Sequence, residues 1–205
     1  MAFITATASI RAQTLTRNGT IQYQDASLAL PEFLLQAYAA LKSDYPKFYK
    51  MDPLSKLGFL AAEVLLADKP LAAYPPDAVS LVLSNAHASL ATDAQYQAAS
   101  RAVPSPALFV YTLPNIVAGE LCIRHGLKGE NAFFVTPAFD AAQVAGYVDL
   151  VLAQPGAQAC VAGWVEVMGE HHDVFLYLAE HSRRGLARAH TAEQLNTLYT
   201  GLWNN

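Results

Sequence analysis

Val79-Ser80-Leu81-Val82-Leu83-Ser84-Asn85 is a short, largely apolar run that closes on two small polar residues. A run of this length, rich in β-branched residues and without helical periodicity, reads as a strand buried on both faces, the kind found inside α/β sheets. Two segments upstream read as helices. Pro31 opens the first, with Phe33, Leu34, Ala37, Tyr38 and Leu41 at helical spacing. Asp52-Pro53 supplies an N-cap and a first-turn proline for the second, whose stripe is Leu57, Leu60, Ala61, Val64 and Leu65. Further upstream, residues 3–16 and 20–24 flank Asn18-Gly19 and read as a strand returning through a tight hairpin. Downstream, helices are expected at about 92–102, 113–125 and 141–153. Strands are expected at Ala132 to Thr136, Ala159 to Val167 and Val174 to Leu178. A tail helix is expected over about 191–203. The alternation predicts one α/β domain over residues 1–205, with a five-stranded, mostly parallel mixed sheet and helices on both faces.

The composition narrows the function. Over 205 residues, 53% are hydrophobic and only 15% charged, which predicts an extensive core rather than disorder. A net charge of −4 with 13 scattered Lys and Arg offers no cationic field for a phosphate backbone, so nucleic acid is a poor partner. No apolar run reaches the roughly 20 residues of a membrane span, and Met1 to Ile10 has no signal-peptide pattern, so a cytoplasmic protein is expected. Cys122 and Cys160 lack metal or disulfide spacing and read as buried hydrophobes. No cofactor or metal is expected.

The stretch from Asn115-Ile116-Val117-Ala118-Gly119 through Gly126-Leu127-Lys128-Gly129 resembles a segment of β-ketoacyl-acyl-carrier-protein synthases, thiolase-fold condensing enzymes. There, a helix bearing Asn and Ala-Gly runs into Gly-Leu-Lys/Arg-Gly. Pro104-Ser105-Pro106 resembles the approach to that helix, and Ala162-Gly163 the end of the family's Ala-Gly-Gly strand. Between these anchors the family places its nucleophile in Thr-Ala-Cys-Ser/Thr, and the same register here reads Thr136-Pro137-Ala138-Phe139-Asp140. The resemblance thus puts Ala138 at the cysteine position, where a methyl group cannot attack a thioester. Val174 to Glu180 followed by Arg183-Arg184-Gly185 resembles the strand and helix closing the family's first half, although a long excursion of the family is replaced by Glu166 to Asp173, a length that suits a hairpin. The family's second half, with its catalytic histidines and lysine, has no counterpart after Asn205, so an N-terminal-half-like domain is expected.

What the resemblance implies is a non-catalytic, ketosynthase-like partner, acting as a chain length factor or scaffold in fatty-acid, polyketide or aryl-polyene-type synthesis. Its expected partners are a second copy or a condensing enzyme, and an acyl carrier protein. Phe133-Phe134-Val135 corresponds to the strand that pairs across the family's two-fold axis, with an ordinary core strand as the alternative. The residues leave other readings open. Asp140 is either a base or the cap of the helix beginning near Ala141. His87, after a buried strand, is either a functional base or a bonded loop residue, and together they would suit a thioesterase- or acyltransferase-like enzyme. A small-molecule or acyl-binding module on the old pocket is a third reading. Cys122, amid Leu121 and Ile123, reads as inert, and His171-His172-Asp173 as a solvated hairpin tip rather than a metal site.

Overall fold

The computed structural model describes residues 1–101 and 105–201. Pro104 of the proline-serine-proline motif, Ala102 at the end of the helix expected to residue 102, and Leu202 and Trp203 of the expected tail helix lie outside the described residues.

Three short strands open the chain: β1 (Phe3–Arg11), β2 (Thr14–Arg17) and β3 (Thr20–Gln24). They form an antiparallel meander with two tight turns rather than the single hairpin expected. Asn18-Gly19 makes the second turn with both φ angles positive, at 49° and 77°, as its chemistry demands. The first turn, Ala12-Gln13, also has positive φ at both residues, 43° and 52°, and neither residue type advertises it. Helices α1 (Leu30–Ala40) and α2 (Pro53–Leu65) follow, and Asp52 caps α2 by accepting the amide of Ser55. Then come β4 (Val79–Asn85), α3 (Leu90–Ser100), α4 (Pro106–Val110), α5 (Ile116–His125) and β5 (Asn131–Val135). The second half holds α6 (Ala141–Leu152), β6 (Ala159–Met168), β7 (His171–Glu180), β8 (Arg188–Ala189) and α7 (Ala192–Thr200).

The strands join in one sheet of order β3-β2-β1-β7-β6-β4-β5, with β8 pairing β1. The sheet therefore has eight strands, not five. It is mixed, but only β4–β5 and β4–β6 run parallel, so the mostly parallel expectation is corrected as well. The physical reason lies in two local connections. The N-terminal meander adds antiparallel strands at one end, and β6 turns straight into β7 at Gly169-Glu170, which leaves room for nothing but an antiparallel hairpin.

Helices cover both faces, as expected. On one face α1, α2 and α5 pack Phe33, Leu57, Leu60 and Val117 against Leu81, Val161, Val165 and Leu176. On the other, α6 and α7 bring Val144, Val148, Leu195 and Leu198 against Val82, Ala162, Phe175 and Tyr177. β4 lies between two parallel neighbours and is buried along its whole length, which explains its nearly uninterrupted apolar sequence. No helix among the described residues is long and apolar enough to cross a membrane.

Candidate functional site

The turn between β5 and α6 holds Thr136-Pro137-Ala138-Phe139-Asp140 together as a unit. β5 runs parallel beside β4, and Thr136 extends that pairing by donating its amide to Asn85 O at 2.9 Å. Its hydroxyl donates to Ala138 O at 2.9 Å, closing the turn. Asp140 then caps α6, accepting the Gln143 amide at 2.9 Å. Phe139 points inward: its ring lies 4.4 Å from Tyr199 and 5.7 Å from Phe175 between centroids, with Trp164 at 6.5 Å. Ala138 and Pro137 face solvent. The five residues, with Ala141, Ala142, Gln143 and Asn196, line an open cleft of about 540 Å³. The side chains that line it comprise a hydroxyl, a carboxylate and amides, with no thiol among them.

His87 stands on the loop after β4, and the structure gives it a partner that sequence reading did not. Glu166, near the end of β6 and buried, directs Oε1 at His87 Nδ1 across 2.9 Å. Its Oε2 accepts the backbone amides of Ala86 at 2.6 Å and His87 at 3.2 Å. Two amides and one imidazole thus hold a desolvated carboxylate, and the exposed His87 ring keeps Nε2 free of protein partners among the described residues. Seventy-nine positions separate the two residues, so only the parallel register of β4 and β6 brings them together. No hydrogen bond joins His87 to Asp140 among the described residues.

Phe133, Phe134 and Val135 lie on β5 at the end of the strand order. Phe133 packs toward the α1, α2 and α5 side, and Phe134 meets Tyr147 edge-on at 4.9 Å on the other. Val135 is 57% exposed, unusual for a valine in a strand beside a fully buried neighbour. The outer edge of this strand has no partner among the described residues.

The remaining candidates are structural. Burial raises the thiol pKa of both cysteines, and neither lines the cleft at Ala138. The expected solvated tip at His171-His172-Asp173 is corrected: Gly169-Glu170 forms the tip, while His172 is buried and Asp173 takes Arg11 Nε at 2.6 Å and the Tyr199 hydroxyl. The loop is four residues shorter than the expected strand ends at Val167 and Val174 leave, so its flanks enter the sheet. Among the described residues no three His, Cys, Asp or Glu side chains converge as a metal would require.

The fold is thiolase-like, of the kind found in ketosynthases and chain length factors. No protein-family model matches the sequence, and no curated protein resembles it closely enough to count as a relative. Solved structures do. The ishigamide ketosynthase/chain length factor matches with a TM-score of 0.63 at 17% identity, covering 88% of this chain and 62% of that one. A type II polyketide ketosynthase in complex with its acyl-carrier protein matches at 0.60 with 14% identity, again covering 88% and 62%. The ketosynthase ApeO in complex with its chain length factor ApeC, from Xenorhabdus doucetiae, matches at 0.56 with 16% identity, covering 88% of this chain and 79% of that one. The chain therefore spans less than two thirds of the length of the first two of these structures.

Proposed function

We propose that this chain is a non-catalytic ketosynthase-like partner, of the chain length factor or scaffold kind, in the cytoplasmic assembly of fatty-acyl, polyketide or aryl-polyene-type chains. One observation carries the reading: at the turn from β5 into α6, where the resemblance puts the nucleophile, the side chain is the methyl group of Ala138. A methyl group forms no acyl intermediate. The cleft around it still presents the capped N-terminus of α6, so the setting for a thioester persists without the attacking atom. Two of the similar structures contain a ketosynthase with a chain length factor, and another contains a ketosynthase with its carrier protein, which favours the same classes of partner here.

The partner surface we favour is β5. An exposed Val135 on an edge strand can pair antiparallel with the same strand of a second copy or of a condensing enzyme. The test is co-expression with tagged ketosynthases and carrier proteins of type II systems, followed by native mass spectrometry. A stable complex or homodimer that Val135→Asp dissociates supports the proposal. A strictly monomeric chain that captures none of them overturns it.

His87 favours a second reading. An imidazole oriented through Nδ1 by a buried carboxylate, with Nε2 open to solvent, is the arrangement of a general base, suited to thioesterase- or acyltransferase-like chemistry on carrier thioesters. Acyl-thioester turnover that His87→Ala abolishes, or that Asp140→Ala lowers, would establish it. No turnover is expected under the first reading.

A further inference from the structure

On the opposite side of the sheet from the Ala138 turn, a second cavity of about 270 Å³ opens where the first turns of α1, α2 and α3 meet the β6–β7 hairpin. Its apolar wall is Leu30, Leu34, Leu54 and Val167, all buried in the main core. Its polar wall carries one cation, Lys56. Among the described residues no carboxylate lies within 4 Å of Lys56 Nζ, which instead sits 5.7 Å from the centroid of the Phe48 ring. Burial lowers the Lys56 pKa, with the nearby Asp52 carboxylate opposing through space without contacting the ammonium. Neither carboxylate at the cavity contacts the Lys56 ammonium. Asp52 is buried and committed to the Ser55 amide at 2.9 Å and the Thr92 hydroxyl at 2.9 Å, while Glu170 is exposed at the rim.

We infer that this cavity binds a small amphiphilic carboxylate, its aliphatic body against Leu30, Leu34, Leu54 and Val167 and its head paired with Lys56. The volume matches roughly nine water-sized groups at about 30 Å³ each, the size of a carboxylate with a medium-length alkyl chain. The three helix starts contribute partial positive charge at the cavity, offset in part by the buried Asp52 carboxylate that caps α2. A ligand carboxylate would give Lys56 a counter-ion in direct contact, which Asp52 does not, and the alkyl chain would displace water from an apolar wall, so the two gains reinforce each other. The inference does not depend on the role of Ala138, because the two cavities share no residue.

The test uses the full chain and three eight-carbon probes, octanoate, octanol and octylamine, titrated calorimetrically at low salt. Octanoate is expected to bind at one site, at least tenfold more tightly than either other probe. Lys56→Met should weaken octanoate about tenfold or more and leave octanol unchanged. Val167→Trp, which fills the cavity, should abolish both, and thermal melts of each variant would confirm that it is folded. Absence of octanoate binding, tighter binding of octylamine, or octanoate affinity unaffected by Lys56→Met in a folded protein would each overturn the assignment.

Discussion

Glu166 clamps the loop after β4 by holding His87 Nδ1 at 2.9 Å from one carboxylate oxygen and the Ala86 and His87 amides on the other. Its side chain is 4% exposed, so the carboxylate depends on these protein partners, although the His87 ring itself is 43% exposed. Glu166→Ala leaves two part-buried amides and a half-exposed imidazole without an acceptor, and should cost about 1–3 kcal/mol of stability. Glu166→Gln keeps the shape but turns a donor toward donors, and should cost about 1–2 kcal/mol. Urea unfolding with an unchanged m-value reads both. A Glu166→Ala midpoint equal to the parent's would show that the clamp does not form.

Two glycines should respond in opposite directions. Gly163 lies mid-strand in β6 with φ of +147°, and a Cβ there would stand 2.0 Å from Phe175 O on β7. That clash is with backbone, which cannot move without breaking the β6–β7 ladder, so Gly163→Ala should cost upwards of about 3 kcal/mol or prevent folding. Gly146 lies inside α6 with open space where its Cβ would be. Gly146→Ala should raise stability by about 0.5–1 kcal/mol through helix propensity alone. Thermal melts of the pair check both signs.

Much of this fold is legible where local chemistry and burial agree. The uninterrupted apolar run of β4, the Asp52 and Asp140 caps and the Asn18-Gly19 turn each announce themselves within a few residues. What was not legible depends on distant contacts. Ala12-Gln13 takes a left-handed turn because β1 and β2 pair on either side of it, against the preference of both residue types. The two-residue β8 exists only because β1 offers Phe3 and Ile4 as partners. At the site, Ala138 and Asp140 sit in one turn and could be read as neighbours. Glu166 looks like an ordinary strand-end residue until the register of β4 and β6 sets it against His87. Lys56 is one of 13 cations in the sequence, and only packing separates it from the others.

Asp140 allows its two readings to be separated. Its side chain accepts the Gln143 amide at 2.9 Å, so Asp140→Ala should cost about 1 kcal/mol, while Asp140→Asn, itself a good cap, should cost much less. A purely capping role requires partner binding to follow stability, with both variants binding normally once folded. If Asp140→Asn removed an acyl-thioester activity while leaving the melt unchanged, the carboxylate would be chemical rather than structural.

The pH dependence of stability should carry the mark of His125. Its ring, at the end of α5, is largely buried, and this burial pushes its pKa from an ordinary 6.5 down to about 4, with Glu63 opposing and Arg124 adding repulsion. Although Nε2 lies 3.8 Å from Glu63 Oε1, this is no ion pair at neutral pH, because His125 is then uncharged; Arg124 engages both Glu63 oxygens at 2.9 and 3.0 Å. The unfolded chain takes up a proton near pH 6.5 and the folded one only near pH 4, so between these values the unfolded state binds more protons. Stability is therefore complete above about pH 6.5 and falls as the pH drops, by about 2 kcal/mol between pH 7 and 5 at 1.36 kcal/mol per pH unit. Glu63, whose pKa is lowered, adds loss of the same sign at lower pH, and Asp52, raised by burial, offsets part of it. His125→Gln should remove most of the slope between pH 7 and 5 in urea unfolding. An undiminished slope would mean that the proton is taken up elsewhere and that His125 is not held neutral by its burial.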